Sequence, residues 1–155
     1  MLETTNLFLR LRPYSKNISQ RLIKSPKAFF IDTGLAASVA GFSSSGSLTE
    51  QFKGALLESY VLLNLIVMAS ITGGEVFYFR TQGGKEKEID FVLERDNKLI
   101  AVEVKLSDKV SMRDIKNILF FKELSDNFTG GLVVYAGKEI EQLGKNIFAV
   151  PWNIF

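Results

Sequence analysis

Residues 75–105 read EVFYFRTQGGKEKEIDFVLERDNKLIAVEVK, three runs rich in β-branched and aromatic residues with two polar turns between them. The first run, Glu75–Thr81, predicts a strand, and Gln82-Gly83-Gly84-Lys85 predicts the turn after it. Glu88–Glu94 predicts a second strand, with Ile89, Phe91 and Leu93 on one face and Glu88, Asp90, Val92 and Glu94 on the other. Asp96-Asn97 turns the chain into a third strand, Leu99–Lys105. There Ile100, Val102 and Val104 face one way, and Ala101, Glu103 and Lys105 the other.

Outward from this meander the pattern changes period. Upstream, Ser47-Leu48-Thr49-Glu50 has capping-box spacing and predicts a long helix to about Ala69, ended by Gly73-Gly74. Its apolar residues cover most of its circumference, so burial on more than one side is expected. Downstream, Ser111 and Asp114 predict a capped helix to about Ser125, with Ile115, Ile118, Leu119 and Phe121 inward. Gly130-Gly131 reads as a break, Leu132–Tyr135 as a doubly buried strand, and Ile147–Val150 as a short final strand. At the N-terminus, Leu7–Arg12 predicts a strand stopped by Pro13, Ala28–Ile31 a short buried strand, and Asp32 the N-cap of a short helix ending near Gly41. The class is α/β (α+β), a mixed central sheet flanked by helices in the order α-β-β-β-α-β. Residues 1–46 form a basic strand and short-helix extension packed on a core of residues 47–155.

The 155 residues contain neither cysteine nor histidine. That excludes disulfides, thiol chemistry, imidazole bases and zinc held by Cys or His. Chemistry is left to carboxylates, lysine, serine and tyrosine, and oxygen-rich sites suit hard cations such as Mg²⁺. Net charge is +2, yet residues 1–31 hold six basic residues against one acidic residue, a patch that suits phosphate contacts and equally a solvated face. The longest apolar stretch, Ala55–Ile71, is interrupted by Glu58, Ser59 and Asn64, so a buried core helix is expected rather than a membrane span. A cytoplasmic protein is expected.

Residues two apart on a strand share a face, so Glu103-Val104-Lys105 places a carboxylate beside an ammonium, and Asp90 on the preceding strand can face the same point. An E-x-K triplet on an amphipathic strand is also ordinary surface. Asp is depleted in strands, which gives Asp90 more weight. Glu58 lies among Ala55-Leu56-Leu57 and Tyr60-Val61-Leu62, where a charge is costly unless it meets a cation or a hydrogen-bond network. An ion pair with Arg80 or Lys105 is the plain structural account of it.

The stretch from Phe79-Arg80-Thr81 through Glu88–Glu94 to Val102–Lys105 resembles the PD-(D/E)XK superfamily, whose fold is restriction-endonuclease-like. Lys24–Lys27, Asp32–Leu35, Gly54–Glu58 and Pro151-Trp152 further resemble a C-terminal domain of unknown function found on bacterial and archaeal AAA-type P-loop ATPases. The resemblance implies a Mg²⁺- or Mn²⁺-dependent nuclease core in residues 47–155, hydrolysing DNA phosphodiesters, with no zinc and no organic cofactor. It implies Asp90 and Glu103 as metal ligands, Lys105 as the residue that orients or activates water, and Glu58 as the catalytic acidic residue of the first helix. Arg80 and Gln82 would bind substrate. Expected partners are DNA and an AAA-type ATPase domain or protein, with a homodimer open and no membrane. A non-catalytic DNA- or protein-binding module on the same fold, accessory to an ATPase, and a plain structural domain are the alternatives.

Overall fold

The computed structural model describes residues 7–15, 25–81 and 86–155. Among them it places β1 (Phe8–Leu11), β2 (Lys27–Phe30), α1 (Thr33–Val39), α2 (Glu50–Thr72), β3 (Glu75–Arg80), β4 (Glu88–Arg95), β5 (Lys98–Lys105), α3 (Lys116–Leu124), β6 (Phe128–Tyr135), β7 (Glu141–Gly144) and β8 (Ile147–Pro151). This is a mixed α/β architecture. Six strands form one sheet in the order β3-β4-β5-β6-β8-β7, and β1 and β2 pair separately as an antiparallel ribbon. β3, β4 and β5 are antiparallel neighbours, β5–β6 and β6–β8 are parallel, and β7 returns antiparallel to β8.

The sheet separates two apolar clusters. On one face α2 lays Val61, Leu62 and Leu65 onto Phe91, Val102, Val104 and Val134, with Leu11 of the ribbon joining them. On the other, Ile115, Ile118 and Phe121 cover Ile89, Val92, Ala101 and Val133, and Tyr14 packs edge-on to Phe77 and Phe121. The chain around Pro13 bridges to Tyr78, whose backbone exchanges hydrogen bonds with Arg12 and Tyr14, so part of the β3 edge is covered.

β5 follows the alternation of its sequence: Ile100, Val102 and Val104 lie in the α2 cluster, and Leu99 and Ala101 in the α3 cluster. β4 does not. Ile89 and Val92 share the α3 face while Phe91 turns to the other. The cause is a β-bulge. Phe77 pairs with Val92 and Phe79 with Ile89, so β4 carries one extra residue at Asp90–Phe91 opposite Tyr78.

Local chemistry corrects several expected boundaries. The N-cap of α2 is Thr49, whose hydroxyl accepts from Phe52 N, while Ser47 belongs to a short 3₁₀ turn. The Ser111 N–H and hydroxyl both donate to Asp114 Oδ2, and Asp114 N donates to Ser111 O, but in a turn that precedes α3 rather than at its start. Asp32 caps α1 as its position predicts, accepting from Leu35 N. β7 carries no apolar alternation and is invisible to a periodicity reading. α2 is long and apolar enough to cross a membrane, which alone is weak evidence. Its stripe Val61, Leu62, Leu65 and Ala69 is buried, whereas Val67, Met68 and Ile71 are exposed, so it is not buried on several sides.

Gly130-Gly131 does not break β6; both glycines lie inside it. A Cβ on Gly131 would stand 2.6 Å from Ile118 Cγ2, so the missing side chain is what lets α3 close on the sheet. Gly131→Ala is therefore expected to destabilise the fold by roughly 1–3 kcal/mol in denaturant unfolding. Adding Ile118→Leu, which removes the Cγ2 methyl, should recover part of that loss. An unchanged midpoint for Gly131→Ala would mean that α3 does not lie this close.

Candidate active site

Four elements bring charged and polar groups toward the C-terminal half of β5. α2 carries Glu58, β4 carries Asp90, β5 carries Glu103 and Lys105, and α3 carries Asn117. Asp90 lies at the bulge, where the β4–β5 ladder stops after Phe91↔Val102. Its Oδ2 accepts the Val104 N–H at 2.8 Å, so a side chain takes the place of a strand carbonyl and fixes the carboxylate against β5. Glu103 is only 3% exposed. Its Oε2 accepts from Lys105 Nζ at 3.0 Å and its Oε1 from Asn117 Nδ2 at 3.3 Å.

These groups act on one another. Burial, then the charge of Asp90, pushes the Glu58 carboxyl from its ordinary 4.5 up to about 7; Lys27 and Lys105 oppose this and Glu88 adds to it. Burial and then Asp90 likewise raise Glu103 above the usual carboxylate range, against Lys105 and Asn117. Burial disfavours the Lys105 ammonium, but Glu103, Asp90 and Asp114 outweigh it and hold its pKa above the ordinary value. Asp90 thus couples to both Glu58 and Glu103, and Lys105 is the cation in contact with the cluster. Among the described residues Glu58 has no hydrogen bond or ion pair of its own, so neither Arg80 nor Lys105 makes the direct pair that would account for it structurally.

Arg80 is engaged elsewhere. Its Nε and Nη2 donate to Glu88 Oε2 at 3.0 and 2.8 Å, and Lys27 Nζ donates to Glu88 Oε1. These two partners outweigh burial and leave Glu88 below its ordinary pKa. Lys27 also lies over the Tyr78 ring, 5.1 Å from its centroid. In a packed pair of this kind Lys27 ties the ribbon to the sheet. Gln82, the other expected substrate contact, lies outside the described residues, as do Arg21 and Lys24 of the basic segment.

Asn117 and Glu88 were not singled out by the sequence. Nothing in the helical period marks Asn117, because its role depends on where α3 docks. Glu88 had a signal: it shares the expected polar face of β4 with Asp90, at the strand's first position.

The donor set available to a cation is all oxygen. Among the described residues no three acidic side chains are gathered into a ready-made metal cage. Mg²⁺ is commonly held by one or two carboxylates with water in the remaining positions, and Asp90 with Glu103 fits that demand. Burial, and then the charge of Asp90, disfavours ionised Glu103, and a divalent cation at this point would offset both.

The chain belongs to the family described as Domain of unknown function (DUF4143), whose model matches residues 53–155. A second model, Domain of unknown function (DUF8612), matches residues 1–46. The uncharacterized proteins Mb2031c of Mycobacterium bovis and Rv2008c of Mycobacterium tuberculosis are each 28% identical over 144 residues. Those residues make up 92% of this chain and 31% of each relative, so the chain spans under a third of their length. No solved structure matches.

The raised Glu58 has a consequence for stability. The folded protein keeps a proton on Glu58 up to about pH 7, whereas the unfolded chain releases it near 4.5. The native state binds more protons in that window, so stability falls as pH rises through it. Glu58→Gln removes the group. Its melting temperature is expected to exceed that of wild type at pH 8 and to converge with it near pH 4.5. Curves that coincide at every pH would place Glu58 in open solvent.

Proposed function

We propose that this chain is a divalent-metal-dependent nuclease core of the PD-(D/E)XK type that hydrolyses DNA phosphodiesters, on a restriction-endonuclease-like version of the mixed sheet. The observation behind it is that a bulge aims Asp90 at the Val104 N–H of β5, beside Glu103 in contact with Lys105, with Glu58 of α2 in electrostatic reach of Asp90 and Lys105. Bulges are over-represented beside active sites, where they re-aim a side chain. Asp90 and Glu103 would hold Mg²⁺ or Mn²⁺, which when bound supplies charge stabilisation at the phosphate and acidifies a coordinated water.

The protein's own residues divide the remaining work. Lys105 is kept as a cation by Glu103 and Asp90, so its role is to orient the attacking water and stabilise negative charge rather than to act as a base. Asn117 and the Val104 N–H position the two carboxylates. Glu58, with a pKa of about 7, can take or return a proton near neutral pH. Arg80 reaches substrate only after leaving Glu88; with Gln82 it remains the proposed contact to the strand. An AAA-type ATPase, linked or separate, is the proposed partner and the cytoplasm the proposed compartment. The Glu103–Lys105 contact favours one second reading, a binding module in which that pair is structural.

Plasmid nicking under Mg²⁺ or Mn²⁺ tests the proposal. Lys105→Ala is expected to remain folded and to lose on the order of 10²–10⁴-fold in rate. Lys105→Arg, which preserves the charge, is expected to keep the fold. If Lys105→Ala instead costs roughly 3–5 kcal/mol of stability, as stranding a buried partner does, the pair is structural. Wild type that never nicks, with or without an ATPase partner, would leave the binding module in front.

A further inference from the structure

A cleft of about 480 Å³ opens between β2, α1 and the first half of α2. It exists because four of its lining residues, Ala28, Ala36, Ala40 and Ala55, are small. Its walls are Phe29, Phe30 and Phe52. Each of these residues packs against a second ring: Phe29 against Phe91 at 6.0 Å between centroids, Phe30 against Phe8 at 4.3 Å, and Phe52 against Phe42 at 4.7 Å. Lys27, Glu58 and Ser59 line it as well. Glu58 therefore belongs to the cleft and to the carboxylate cluster at once.

We propose that this cleft receives an unstacked nucleobase of the strand whose phosphate lies at the carboxylate cluster. The inference rests on the nuclease reading for the identity of the strand. A base has flat faces for the rings and a polar edge for Glu58, and base–aromatic stacking is a common device for holding unpaired strands. Packed rings lose little freedom when a base arrives. An acyl chain or an apolar side chain in the same space would bury Glu58 further and give it no partner. Lys27 is committed to Glu88 and the Ser59 hydroxyl donates to Ala55 O, so the cleft presents mainly acceptors. At pH 8, where Glu58 is ionised, acceptors match exocyclic amino groups, as when a carboxylate accepts from cytosine N4. Cytidine and adenosine should therefore be preferred over thymidine.

The test uses nucleosides, which carry no phosphate and need no metal. With alanine methyls labelled for NMR, cytidine or adenosine is expected to shift Ala28, Ala36, Ala40 and Ala55 saturably, and thymidine to do so at least several-fold more weakly. Ala55→Leu and Ala40→Leu fill the cleft from exposed positions and should each abolish the shifts; two variants guard against one that misfolds. Silent methyls at millimolar nucleoside, or shifts that persist in both folded variants, overturn the proposal. The two readings fail separately. A protein that nicks plasmid while its methyls stay silent retires the cleft, and one whose methyls respond while it never nicks retires the nuclease and keeps the cleft.

Discussion

The Asp90 carboxylate accepts the backbone N–H of Val104, and the geometry around it follows from that bond. An extra residue in β4 ends the regular ladder with β5, and the Asp90 side chain supplies the acceptor that the strand no longer provides. The consequence is electrostatic. A fixed negative charge next to β5 makes ionised Glu103 and Glu58 harder to sustain, and both rise in pKa together with their burial. Lys105 is held charged by the same group of carboxylates. An apolar residue at position 90 would remove the acceptor for Val104 and the charge that couples the other two.

Much of this was legible before the structure. The two-residue period of Ile100–Lys105 assigns both faces of β5 correctly, because a strand with neighbours on both sides has no room to slip. Glu58 stood out because a carboxylate in an apolar helix needs an explanation, and burial there raises its pKa. What could not be read depends on contacts distant in sequence. The bulge is set by how β4 meets Tyr78, and no pattern inside β4 announces it. Gly130-Gly131 has the composition of a break, yet Gly131 is a strand residue that makes space for Ile118, on a helix 13 positions earlier. The capping-box pattern at Ser47 lost to Thr49, two residues on, whose hydroxyl is equally suited to the cap, while Ser47 is taken up in a 3₁₀ turn.

The N-terminal ribbon is tied to this chemistry. Lys27 joins β2 to Glu88 at the start of β4, and the same lysine lowers the pKa of Glu58 through space. Arg80 shares Glu88, so a residue expected to meet substrate is held in an ion pair that substrate would have to compete with. Such a pair is partly exposed and worth little to stability, which makes it exchangeable. Meanwhile the exposed stripe Val67, Met68 and Ile71 on α2 faces away from the cluster's own packing and takes no part in it.

The proposed nuclease site requires Asp90 and Glu103 to share one cation. A crystal soaked in Mn²⁺ and measured at a wavelength where manganese scatters anomalously tests it directly. An anomalous peak between the Asp90 and Glu103 carboxylates is expected, absent from a crystal of Asp90→Asn treated in the same way. No peak in the wild type at saturating Mn²⁺, or an equal peak in both crystals, would contradict it.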